Sequence, residues 1–216
     1  MSPAHFRVGI ICGSTRTPRV GDQITDFVLE TIKSHEKAKQ KDTEEIQTNP
    51  SFEFDYIDIN DLSLPFFDEP GIPSKIYSAE DYTHEHTRAW SRRVSALDAF
   101  VFVTAQYNWG IPAPLKNAID FLFNEWKGKP AMIVSYGGHG GGKAAAALKL
   151  CLAGGIDMRV GDRMVVSLSF PDREVLYQAV RGEKLGLDAE STTGVWSSER
   201  GHITGGWDEM IGMLRG

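Results

Sequence analysis

The chain has 216 residues, enough for one domain with a full core, and its 41% apolar and 24% charged residues are an ordinary globular balance. A net charge of -6 argues against a surface that binds nucleic acid. Cys12 and Cys151, the two cysteines, stand in no metal-binding spacing and read as free thiols of a reducing compartment.

Phe6 to Cys12 (FRVGIIC) reads as the first strand. Its apolar part, Val8 to Cys12, is too short for a signal-peptide core or a membrane span, so a cytoplasmic protein without membrane contact is expected. Gly13-Ser14-Thr15-Arg16-Thr17-Pro18-Arg19 ends the strand, and Val20, Ile24, Phe27, Val28 and Ile32 then recur with helical period. Such a strand, loop and helix form a natural anion site. The first helical amides lack intrahelical partners and carry positive partial charge. Ser14, Thr15 and Thr17 add hydroxyls, while Arg16 and Arg19 add forked cations that match a phosphate. The alternative is a capped helix with solvated arginines.

Ser34 to Ser51 is polar and reads as a solvated helix end plus a variable loop. Phe52 to Ile59 alternates like a strand. Asp61 to Pro73 holds too many prolines for regular structure and is expected to be an ordered loop. Within it, Phe66 and Phe67 either line a ligand or partner surface or pack beneath the loop. Ser78 to Leu97 reads as a helix with Ala89, Trp90, Val94 and Leu97 inward and Arg88, Arg92 and Arg93 outward. His84 and His86, two apart, would point to different faces of that helix, which argues against a metal site.

Ala99 to Thr104 is a continuous apolar run, the pattern of a buried parallel strand. Leu115, Ala118, Ile119 and Leu122 mark one face of a helix beyond it, with Pro112 or Pro114 in its first turn. The loop between carries Gln106, Tyr107, Asn108, Trp109 and Gly110 at the carboxyl end of a central strand, where open α/β sheets bind ligands. Amides and backbone NH groups suit the edge of a flat heteroaromatic ring, and aromatics suit its face.

Pro130 to Tyr136 (PAMIVSY) is another buried strand, followed by Gly137-Gly138-His139-Gly140-Gly141-Gly142-Lys143. This run matches the start of a nucleoside-triphosphate phosphate loop, but Ala144 stands where the magnesium-linked hydroxyl is needed. A glycine-lined wall that a ring approaches closely is the better reading. His139 sits either over that ring or in solvent. Ala144 to Leu152 follows as a helix with Leu148, Cys151 and Leu152 inward, and the last strand lies around Met164 to Leu168. Val175 to Val180 reads as helical, 187–206 as a variable polar loop, and 207–214 as a short final helix.

Strands alternating with helices imply an α/β three-layer sandwich around a five-stranded parallel sheet. The expected order is the flavodoxin-like 2-1-3-4-5, with the ligand where strands one and three diverge. One domain over 1–216 is expected. The loops after strands one and three then meet at one edge.

Together these residues resemble the NADPH-dependent FMN reductase family, which includes soluble quinone reductases and azoreductases. Its Gly-Ser-x-Arg loop is matched by Gly13 to Arg16, and its Thr-Pro-Glu/Gln-Tyr-Asn loop by Thr104 to Asn108 with Ala105 in place of proline. Leu115 to Asp120, Tyr136 to Gly141, Leu64-Pro65, Asp68 to Pro70 and His86 to Trp90 also match, over about residues 6–170.

The resemblance implies FMN held without a covalent link. Its phosphate would rest on Ser14, Arg16, Arg19 and the amides near Val20. Its ring would lie between Gln106, Tyr107, Asn108, Trp109, Gly110 and Gly137, Gly138, His139, Gly140. NADPH or NADH would reduce the flavin, leave, and be followed by a small-molecule quinone, azo or flavin acceptor, so that the chemistry rests on FMN with no catalytic side chain or metal. Tyr107 and Trp109 are the candidates for contacting nicotinamide or acceptor. A homodimer is also implied. The alternative function is an FMN-binding electron carrier or regulatory protein with incidental reductase activity.

Overall fold

The runs rich in Val, Ile and Phe become strands because a sheet covered on both faces buries both sides of each. The computed structural model describes residues 4–42 and 50–215. Its strands are β1 (His5–Cys12), β2 (Ser51–Asp58), β3 (Ala99–Ala105), β4 (Ala131–Gly137) and β5 (Val165–Ser169). All pair in parallel, in the order β2-β1-β3-β4-β5. The flavodoxin-like order is thus the observed one.

The helices are α1 (Gly21–Asp42), α2 (Ile59–Leu62), α3 (Glu85–Ser95), α4 (Ala113–Asp120), α5 (Gly142–Lys149), α6 (Arg173–Arg181) and α7 (Arg200–Arg215). α1 and α7 cover one face of the sheet, while α3, α4 and α5 cover the other. β3 divides its side chains by the period-two rule: Val101 and Val103 face α1 and α7, whereas Phe100 and Phe102 face α3 and α4. On that second face Trp126 is fully buried, its ring centre 4.8 Å from that of Phe100 and 5.9 Å from that of Trp90. Among the described residues no helix is long and apolar enough to cross a membrane.

Several elements differ from the sequence expectation. α1 runs on to Asp42, and residues 43–49 of the expected variable loop lie outside the described residues. The 61–73 loop begins inside the short α2 and is pinned by Asn117, which donates to the Pro65 carbonyl at 2.7 Å and accepts from the Phe67 amide at 2.9 Å. Phe67 leans on Phe121 at 5.2 Å, while Phe66 is 86% exposed.

The helix expected from Ser78 starts only at Glu85. The Glu69 carboxylate arrives from the preceding loop and takes the amides of Thr83 and His84, so the chain turns there instead of coiling. Ala89 then faces out, Thr87 and Ser91 join Trp90 and Val94 inside, and Arg93 is drawn onto Asp55 at 2.7 Å. His84 precedes the helix, so its ring stacks on that of His86 at 5.1 Å and the two do not diverge.

α5 passes at Leu150 into a π-helical turn that ends at Gly155, leaving Cys151 half-buried rather than in the core. The largest correction is α7. It begins at Arg200, not 207, so the variable loop is shorter than expected. Gly205 and Gly206 lower helix propensity, but they let α7 pass directly over the segment before β5. A Cβ at Gly206 would come within 2.6 Å of the Arg163 carbonyl oxygen.

Candidate functional site

β1 ends at Cys12, and the Gly13 amide donates to the Val103 carbonyl at 2.8 Å, which ties the first loop to the end of the central strand. The start of α1 closes on the same loop because residue 21 is glycine: a Cβ there would meet Tyr136 Oη at 2.7 Å and Ser14 Cβ at 2.8 Å. Ser14 is consequently 3% exposed and its hydroxyl is held in the loop. Burial keeps the neighbouring Cys12 thiol and Tyr136 phenol above their ordinary pKa values, so both remain protonated at neutral pH.

A cleft of about 310 Å³ opens at this carboxyl end of the sheet. Ser14, Arg16, Arg19 and Val20 of the first loop line it together with Gln106, Gly137 and Gly138 of the later loops. Seven of the expected residues therefore converge. Tyr107, Asn108, Trp109 and Gly110 lie outside its lining, as do His139 and Gly140.

The two arginines have separate tasks. Arg16 is exposed at the mouth. Arg19, expected to grip a phosphate, instead spends its guanidinium on both oxygens of Asp58 and on the Ser14 carbonyl. The hydrogen bonds to Asp58 hold Arg19 above its ordinary pKa. Its role is to fix the backbone of the loop.

The third-strand loop is a tight hairpin. Tyr107 and Gly110 exchange hydrogen bonds, 3.1 Å from the Tyr107 amide and 2.9 Å from that of Gly110. Asn108 and Trp109 between them have φ of 48° and 66°. Two successive left-handed residues are what such a two-residue turn demands, and tryptophan there carries strain. Trp109 is 73% exposed, with the Lys143 ammonium 5.5 Å from its ring centre. Tyr107, expected to meet nicotinamide or acceptor, turns back into the first loop, where its hydroxyl lies 2.7 Å from Ser14 Oγ. Gln106 accepts from the amides of Lys143 (3.0 Å) and Ala144 (3.2 Å) through Oε1, and its Nε2 has no acceptor among the described residues. His139 is exposed.

Leu176, Ala179 and Val180 of α6 and Phe170 supply a wall that sequence reasoning missed. The signal was present in the amphipathic spacing of α6, whose inner side faces the cleft. Gln23 clamps the far end of α6, donating to the Glu183 carbonyl and accepting from the Leu185 amide, each at 3.0 Å. Trp196 stacks behind Phe170 with ring centres 5.4 Å apart.

Phosphate-type donors, bare glycine backbone and an amide donor around one cleft, with a volume within the roughly 300–1,000 Å³ of ligand sites, together suit a phosphorylated flat ring. Residues 6–171 match the family model for NADPH-dependent FMN reductase. The chain belongs to that family. It is therefore an oxidoreductase with FMN as cofactor and NAD(P)H as electron donor. An NAD(P)H-dependent FMN reductase of Saccharomyces cerevisiae is 39% identical over 189 residues, covering 83% of this chain and 93% of its own. Another, from Schizosaccharomyces pombe, is 43% identical over 174 residues, covering 81% and 78%. The solved structure of the NAD(P)H:(acceptor) oxidoreductase FerB from Paracoccus denitrificans superposes with a TM-score of 0.65 at 19% identity, covering 97% of each chain, and shares the fold. The family match ends at residue 171, just before α6.

Proposed function

We propose that this FMN reductase passes electrons from NAD(P)H to a quinone, azo compound or free flavin in two successive half-reactions at one cleft. Bound FMN supplies the two-electron chemistry, accepting from the nicotinamide and donating to the acceptor. The observation that carries the reading is the cleft that joins Ser14 and Arg16 to Gln106, Gly137 and Gly138.

Ser14 and Arg16, with the unpaired amides of the α1 N-terminus, hold the phosphate. Arg19 and Asp58 keep that loop in shape. Gly137 and Gly138 let the ring approach the backbone, and the free Nε2 of Gln106 donates to its edge. Phe170 and Leu176 exclude water from one side. Trp109, projecting at the rim, offers an aromatic platform to an incoming flat acceptor. What supports a homodimer is the set of large apolar side chains left exposed nearby in sequence, among them Phe66, Ile72 and Tyr77. The free cysteines support a cytoplasmic location.

The test is anaerobic mixing of the FMN-loaded protein with NADPH and, separately, NADH. Bleaching of the flavin band at ~450 nm followed by recovery on adding a quinone is expected. Failure of both nucleotides to bleach it overturns the reading.

A further inference from the structure

One side chain engages both of the residues assigned to a phosphate at the first loop, Ser14 and Arg16. Tyr107 Oη lies 2.7 Å from Ser14 Oγ and accepts from the Arg16 amide at 3.3 Å. The Arg16 guanidinium carbon sits 4.8 Å from the centre of the Tyr107 ring. Ser14 is too buried to turn its hydroxyl to bulk water, so its choice of partner is narrow. The Arg16 amide has a single hydrogen to give. A phosphate that accepts it takes it from Tyr107.

We propose that Tyr107 is an internal competitor for the phosphate subsite, which sets how strongly the cleft prefers phosphorylated over unphosphorylated flavins. The proposal rests on the reading of this loop as the FMN phosphate site. A ligand without a phosphate enters with the Tyr107 hydroxyl in place. A phosphorylated ligand displaces it, so part of the phosphate's interaction is spent on breaking the Tyr107 contacts. The effect is to keep FMN exchangeable. Because Tyr107 also begins the hairpin and pairs with Gly110, its release loosens the turn that carries Trp109. Phosphate binding and the set of the acceptor platform are thereby coupled. A tyrosine serving only as a fixed strut would show none of this selectivity.

The experiment titrates deflavinated protein with FMN and with riboflavin, followed by flavin fluorescence, for the wild type, Tyr107→Phe and Ser14→Ala. Tyr107→Phe keeps the ring and removes only the hydroxyl. It is expected to tighten FMN about fivefold, the value of one neutral hydrogen bond, and to leave riboflavin within about twofold. Inorganic phosphate, with no flavin present, is expected to raise the melting temperature of Tyr107→Phe more than that of the wild type. Unchanged or weaker FMN binding in Tyr107→Phe, equal loss of both flavins, or equal melting shifts with phosphate overturn the competition. Ser14→Ala separates the two levels. If it loses FMN but keeps riboflavin, the phosphate site stands whatever Tyr107 does; if the ratio of the two affinities is unchanged, the site reading fails and the proposal with it.

Discussion

Arg19 grips Asp58 with both arms of its guanidinium, Nη1 donating to Oδ1 at 2.9 Å and Nη2 donating to Oδ2. The side chains are 20% and 11% exposed, so neither charge has enough water to stand alone. Asp58 also accepts from the Asn60 amide at 2.9 Å and so caps α2. One carboxylate therefore joins the end of β2, the start of α2 and the phosphate loop.

This pairing divides the two arginines experimentally. Asp58→Ala strands the Arg19 charge and is expected to destabilise the fold by about 2–3 kcal/mol in urea unfolding. Arg16→Ala is expected to leave the unfolding midpoint in place and weaken FMN retention by about 1.5–3 kcal/mol, the scale of a charge-assisted hydrogen bond. Unchanged FMN occupancy of Arg16→Ala after dialysis would refute its assignment.

Among the described residues the Lys143 ammonium reaches the exposed ring of Trp109. That contact is worth about 0.5–1 kcal/mol at an exposed site. Lys143→Ala should therefore keep turnover within a few-fold of wild type in steady-state assays. A collapse in turnover would restore the nucleoside-triphosphate reading of the glycine loop.

Gly141 has φ of +73°, and a Cβ there would come within 2.9 Å of the Tyr136 carbonyl oxygen. Gly141→Ala is expected to cost about 2 kcal/mol in thermal or urea unfolding. The same substitution at Gly142, where a Cβ meets nothing, is expected to be near neutral.

Glu69 is buried, which by itself would raise its pKa, but the amides of Thr83 and His84 overcome burial and lower it. Its stabilising contribution is therefore complete above the unfolded carboxylate value of roughly 4.3 and is lost as pH falls through the lower folded value. Glu69→Gln is expected to cost about 1–2 kcal/mol at neutral pH, with the two unfolding curves converging in acid.

Lys129 is shifted in the same direction for the opposite reason, because its charged form is disfavoured by burial. Burial pushes its ammonium down to about 8, although Nζ donates to the Val94 and Ser95 carbonyls at the end of α3 at 2.8 and 3.3 Å. The unfolded lysine keeps its proton up to roughly pH 10.4, so the unfolded chain binds more protons across that window and stability rises with pH through it. Denaturant midpoints between these values should climb for the wild type relative to Lys129→Met. A flat difference would show that the carbonyls hold the charge after all.

The strands were legible because a buried parallel strand is a run of apolar residues, whatever its neighbours are. The anion loop was legible because Gly13 to Arg19 sits between a strand and a helix. α7 was misread because Gly205 and Gly206 weaken a helix locally, and only Arg163, its guanidinium against Gly205 and its backbone against Gly206, explains their presence. The α3 start was misread because the acceptor for the amides just ahead of it, Glu69, is 14 residues away from Thr83. The α6 wall was read only as a helix, since nothing local says which way it faces.

Local pattern thus determined the alternation of strands and helices, from which the flavodoxin-like order and a shared edge for the loops were expected. Those depend on periodicity and on glycine, which act within a few residues. Tertiary structure alone decided which arginine is left for a ligand and where Tyr107 points. Arg19 is claimed by Asp58, 39 residues away, and Tyr107 by Ser14, 93 residues away. A side chain's partner is whichever group the fold brings within hydrogen-bond reach, and that distance is not written in its neighbours.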